Sequence, residues 1–157
     1  MAVSIKDIMN EVGNLNTEIK RVLQQAQFEN YEDLSAVEYD KADPNELMLV
    51  DELRSMLTKL EEVSHTINYL NAPVTKTGTL RRNETGRFEV DGLELQSGMG
   101  IEYLASDDWH SRYDENDNYV PAPYWCASRI EHNGDDYYIV GTQNIKLEGL
   151  SVRIRKL

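Results

Sequence analysis

The stretch INYLNAPVTKTGTLRRNETGRFEV, residues 67–90, holds the change of rhythm on which the fold turns. Up to Leu70, apolar residues recur at helical spacing. Asn71-Ala72-Pro73 then stops the helix, because proline disfavours helical backbone in the residue before it. From Thr75 the pattern has period two. Thr79–Arg82 and Arg87–Val90 flank Asn83-Glu84-Thr85-Gly86, which reads as a β-hairpin with a glycine for the positive-φ position. The fold class is therefore α+β, with an N-terminal antiparallel helical hairpin over residues 1–72 and a small β domain over residues 73–157.

Working back from Leu70, the second helix shows apolar residues at Leu49, Leu53, Met56, Leu60, Val63, Ile67 and Leu70. Their 4–3 spacing is that of a packed seam. Asp43 as cap, Pro44 at the first helical position and Glu46 two residues on mark its start. The first helix carries a matching seam of Ile5, Ile8, Val12, Leu15, Ile19, Val22 and Ala26, opened by Ser4 with Asp7 in a capping box. Two seams of equal size are what an antiparallel hairpin needs, with Leu15 and Ile19 buried against Leu53 and Leu60. Residues 28–42 between them alternate Phe28, Tyr31, Leu34, Val37 and Tyr39 with acids. They read as a short helix, with a longer first helix or an ordered loop as alternatives.

Working forward, Asp91-Gly92 is a second turn before Leu93-Glu94-Leu95. Ile101–Leu104, Trp125–Glu131, Tyr137–Val140 and Leu150–Arg155 read as strands. Five or six short strands in about 80 residues imply a small SH3-like antiparallel β barrel or rolled sheet. Trp125 and Tyr138 are expected in its core or rim. The stretch Ala105–Tyr124 is a long acidic-aromatic insertion.

Three segments, GRFEVDGLELQSGMGIEYL (86–104), WCASRIEHNGDDYYIVG (125–141) and LEGLSVRI (147–154), resemble a small uncharacterised β-domain family of Gram-positive bacteria, their phages and mobile elements. Gly86, Arg87, Gly92, Gly98, Arg129, Glu131, Gly141, Gly149 and Arg153 are among the matching positions. The chain departs from the family pattern at Ser97, where the family tends to have cysteine, and in its longer insertion. The resemblance implies a fold and a phage or mobile-element setting, and no activity.

The formal net charge is −12. Residues 1–72 hold 14 Asp/Glu against 6 Lys/Arg, a balance of −8, and residues 73–157 hold 14 against 10, a balance of −4. Such a surface repels phosphates and anionic lipid, so direct nucleic-acid or membrane contact is not expected, and a basic protein partner is. Solubility alone is the competing explanation of the acidity. No apolar run is long enough to span a membrane, and the acidic start lacks the apolar core of a signal peptide. The single cysteine, Cys126, fits a reducing compartment, hence a cytoplasmic location.

Catalytic patterns are absent. His65, His110 and His132 fall on different elements with no zinc-ligand spacing, and Cys126 reads as a small buried hydrophobe rather than half of a Cys126–His132 pair. Asp114-Glu115-Asn116-Asp117-Asn118 opens like a calcium loop. Tyr119 stands where that loop needs glycine and Trp125 where it needs glutamate. Gly98-Met99-Gly100 is a turn or bulge, and Arg81, Arg82, Arg87, Arg153, Arg155 and Lys156 pair with the acidic hairpin in the structural reading. No cofactor, metal or catalytic residue is assigned.

What remains is a non-catalytic binding protein. Acids among aromatics suit a protein-docking surface, which assigns partner contact to Glu32, Asp33, Glu38, Asp40, Asp107, Asp108, Trp109, Tyr113, Asp114, Asp117 and Tyr119. The concrete version is an anti-CRISPR-like inhibitor or regulator of a nucleic-acid-handling protein, presenting carboxylates in place of phosphates. The alternative is a structural adaptor that dimerises through its helical hairpin.

Overall fold

The computed structural model describes residues 2–28, 34–106, 112–142 and 144–156. The chain divides into two compact units, Met1–Asn71 and Ala72–Leu157.

In the first unit, α1 spans Ile5–Gln25 and α2 spans Pro44–Asn71. Ser4 caps α1, its hydroxyl accepting from Asp7 N at 3.1 Å and donating to the Asp7 carboxylate at 2.7 Å. At the other end Gln27 takes a positive φ of 48°. There Gln27 N donates to Gln24 O and Phe28 N to Leu23 O, which is a Schellman stop. Phe28 folds back and is buried with Ala26, Leu34, Val50 and Leu57. α1 therefore does not continue. No helix forms within the described residues 34–43 either: Leu34, Val37 and Tyr39 reach the core from turns. Residues 29–33 lie outside the described residues. Asp43 caps α2, accepting from Asn45 N at 2.8 Å, as its sequence implies. Glu46 reaches past the cap to Asp40 N, at 2.5 Å.

The helices run antiparallel, since Asn16 bonds Ser64 and Asn68 while Ala26 clusters with Val50 and Leu57. Their seam differs from the sequence reading. On α1, Asn16 is buried and Leu15 is exposed. On α2 the buried positions are Val50, Leu57, Ser64 and Ile67, with Leu53 and Leu60 half-buried. Leu49, Met56, Val63 and Leu70, assigned to the seam, stay exposed. The 4–3 rhythm is right, but every second position is shifted by one residue. Adjacent apolar residues, Leu49-Val50 and Met56-Leu57, made both registers look equally apolar.

The second unit is all β. A five-stranded antiparallel sheet has the order β1-β10-β5-β8-β9, from Val74–Thr79, Ser151–Arg155, Gly100–Ala105, Tyr124–His132 and Tyr137–Ile139. A small sheet joins β2 (Arg81–Arg82), β3 (Phe88–Val90) and β4 (Leu93–Glu94). Strands β6 (Arg112–Tyr113) and β7 (Tyr119–Val120) pair with each other. Among the described residues no sheet closes on itself, so the unit is a set of open sheets rather than a barrel. Asp91 and Gly92 both have positive φ, the backbone a two-residue hairpin turn demands. Gly78 lets β1 pass β3, since a Cβ there would sit 3.2 Å from Val90 Cγ2.

The core lies between the two larger sheets, with Leu80, Phe88, Val90 and Leu95 against Ile101, Tyr103, Ile130, Ile139, Val152 and Ile154. Trp125 and Tyr138 are not in it. Strand alternation puts them on the sheet face opposite Ile130 and Ile139, both half-buried, and the aromatic that reaches Phe88 is Tyr137, edge-on at 6.1 Å.

Candidate functional site

The clearest unexplained surface belongs to the helical unit. Among the exposed apolar side chains are Ile8 (48%) and Leu15 (58%) on α1 and Leu49 (60%), Met56 (52%) and Val63 (44%) on α2, with Ile5 and Met9 on α1 and Leu47, Met48 and Leu70 on α2 exposed as well. Of these, Ile8 and Leu15 on α1, and Leu49, Met56, Val63 and Leu70 on α2, are spaced by seven residues. At about 100° per residue, Leu15 sits some 60° to one side of the direction in which α1 faces α2. Leu49, Met56 and Val63 sit about 70–110° to one side of the direction in which α2 faces α1. Because the helices are antiparallel, both displacements point to the same side of the hairpin. The unit thus has one inner seam and one outer apolar face. At one end this face meets a groove of about 260 Å³ lined by Val37, Glu38, Tyr39, Glu46, Leu49, Val50 and Leu53. The face was legible as excess: α2 has more apolar positions than one seam consumes.

The acidic positions fall in three groups. Glu32, Asp33, Asp107, Asp108 and Trp109 lie outside the described residues. Glu38 is exposed beside the groove, and Asp40 holds the turn before α2 by accepting from Ala42 N at 2.8 Å. Tyr113, Asp114, Asp117 and Tyr119 form the β6–β7 hairpin. Its rings meet edge-on at 6.0 Å, and both are exposed. Asp114 accepts from Asn118 N and Asn116 N, and these bonds hold its carboxyl below the usual range. Its oxygens close a turn. The acids of the N-terminal connection and those of this hairpin belong to different units.

Arg82, Arg87, Arg129, Arg153 and Arg155 pair within the β unit. Arg82 grips Asp136 through both oxygens, at 2.6 and 2.9 Å, and lies over Phe88. Arg87 meets Glu94 at 2.5 Å. Arg153 and Arg155 both bind Glu102, whose side chain is 3% exposed, and Arg153 stacks on Trp125 at 4.5 Å. Burial pushes the Glu102 carboxyl up, and the two guanidiniums outweigh it, leaving the group below its usual range.

Cys126 and His132 stand six residues apart on the single strand β8, about 20 Å at the rise of an extended chain, so they form no nucleophile–base pair. Cys126 packs toward the core and Tyr103, whose hydroxyl is pushed up by burial and by that thiol. His132 packs edge-on to Tyr137 at 4.7 Å. Among the described residues, no cluster of three or more His, Cys, Asp or Glu could hold a metal ion, and no helix is long and apolar enough to cross a membrane.

The turns at Asn83–Gly86 and Asp91-Gly92, and Glu102 with Arg153, fall within a segment that aligns with a family described as Domain of unknown function (DUF5348), while Arg155 and the first four residues of β1 lie outside it. A DUF5348 domain covers residues 78–154. No curated protein and no solved structure matches the chain. The DUF5348 match begins inside β1 and ends inside β10, so it takes in the whole sheet core together with the β6–β7 insertion.

Proposed function

We propose that this chain is a non-catalytic protein–protein adaptor, with the helical unit as its association module and the DUF5348 domain as the part it presents. The carrying observation is the outer apolar face of α1 and α2, whose heptad-spaced side chains stay in water although a seam has already formed beside them. Exposed apolar side chains gathered on one side of a helical hairpin are what an association surface presents. The test is the size of the full chain in a native-like lysate. The parent should elute in an assembly larger than one chain, and a Leu49→Lys/Met56→Lys/Val63→Lys variant with unchanged circular dichroism should elute alone. A parent that also elutes alone overturns the adaptor.

A second reading rests on the −8 balance of residues 1–72. In it the protein acts in the cytoplasm of a Gram-positive host as a phage or mobile-element inhibitor of a nucleic-acid-handling protein, in the manner of anti-CRISPR DNA mimics. Reversing Glu32, Asp33 and Glu38 together with Asp107 and Asp108 would then abolish binding to that basic partner, and salt would weaken it. Unchanged binding by the reversed variant at low salt sinks this version.

A further inference from the structure

We propose that the outer face of the helical unit is filled by the same face of a second copy, giving a symmetric four-helix bundle. The inference rests on the reading of that unit as an association module, and names its occupant.

Two observations, spacing and area, lead to a second copy, and charge supplies the test that separates it from a different partner. The first is spacing. Both ridges, Ile8 with Leu15 and Leu49 with Met56 and Val63, advance by seven residues on antiparallel helices. A surface with two parallel ridges at one heptad spacing is complemented by another two-helix face with the same spacing, and rotation about a two-fold axis supplies it from the protein itself.

The second is area. From their fractional exposures, these five side chains leave on the order of 500 Å² of mostly apolar surface per chain, so a symmetric pair covers about 1,000 Å² before any flanking residue is counted, the threshold of a specific interface.

Charge decides how the two occupants are told apart. The ridges themselves are uncharged. The 14 acids against 6 bases of residues 1–72 surround them. Two such units repel, and apolar contact is what holds them. Screening must therefore strengthen the pair, whereas it weakens any complex with a basic protein. The sign of the salt effect separates the two occupants.

The experiment is sedimentation of the purified full chain over a concentration series at low and high salt. Two single variants, Met56→Gln on α2 and Leu15→Gln on α1, are run beside it. Both change exposed positions, and circular dichroism checks their helicity. A reversible dimer that tightens with salt is expected, with each variant weakening it about tenfold or more. A parent that is monomeric at every concentration overturns the dimer, as does a dimer that loosens with salt or survives both substitutions. If the purified chain is monomeric while the lysate assembly still depends on Leu49, Met56 and Val63, the adaptor stands and only the second copy falls. If no assembly forms in either setting, both fall.

Discussion

Ser64 Oγ of α2 donates to Asn16 Oδ1 of α1 at 2.7 Å, within the otherwise apolar seam. Asn16 Nδ2 in turn donates to Asn68 Oδ1 at 3.0 Å, so the amide is used on both sides. A polar layer of this kind fixes the register of two helices at some cost in stability. Ser64→Ala should destabilise the chain by about 1–3 kcal/mol, since Asn16 Oδ1 then loses its buried donor. The double change Asn16→Leu/Ser64→Ala should be near neutral or stabilising, because both partners become apolar. Chemical denaturation of the three proteins checks this, and a double variant weaker than Ser64→Ala would contradict it.

Leu57 and Met56 are neighbours with opposite fates, 1% and 52% exposed. Leu57→Ala should cost about 2–5 kcal/mol, the range for a buried leucine. Met56→Ala should stay within about 0.5 kcal/mol in the monomer. Equal losses in thermal melts at low concentration would mean that the inner seam has been placed wrongly.

This pair also shows where the sequence was readable. The caps Ser4, Asp43 and Pro44 and the turns at Asn83–Gly86 and Asp91-Gly92 are local chemistry, and each sits where its residues required. Which of two adjacent apolar residues faces a partner helix is not local. Leu49-Val50 and Met56-Leu57 each offer two nearly equal choices, and Val50 and Leu57 are the ones buried. A polar residue in a seam has no apolar signature, so Leu15 took its place in the sequence pattern. Strand alternation similarly exchanged Tyr138 for Tyr137. The sequence has one aromatic on each face, and the core selects the one that meets Phe88.

Glu102 should be the acid-sensitive centre of the β unit. Its folded-state value lies below the ordinary carboxylate range, because Arg155 and Arg153 overcome the burial that pushes it up. The stability it contributes is therefore present above its unfolded value of about 4.3 and is lost as pH falls through the folded one. Glu102→Gln should cost about 3–5 kcal/mol at neutral pH, since both guanidiniums lose the buried carboxylate they share. The variant should also lose part of the parent's acid dependence. Melts across pH 2–7 provide the comparison, and parallel curves would refute this role.

Asp114 should act locally. Asp114→Ala removes the acceptor of Asn116 N and Asn118 N. The β6–β7 hairpin should then open without lowering the global melting point. Limited trypsin digestion at Arg112 should accelerate in the variant, and an unchanged rate would show that the Tyr113–Tyr119 ring contact suffices.

Strand β10 lies between β1 and β5 although it follows every other described strand in the chain. At its end Arg155 Nη1 and Lys156 N donate to the carbonyls of Ala72 and Pro73, where the unit begins. On the ribosome, the five-stranded sheet therefore lacks an interior member until residues 151–156 have emerged, and among the described residues β1 pairs with β10 alone. The helical unit closes with contacts among residues already made, so it can be native while the β unit is still unpaired chain with bare strand edges. A ribosome stalled after Asn71 has emerged and before residue 151 is made would display a finished hairpin tethered to a nascent segment that cannot yet complete its sheet.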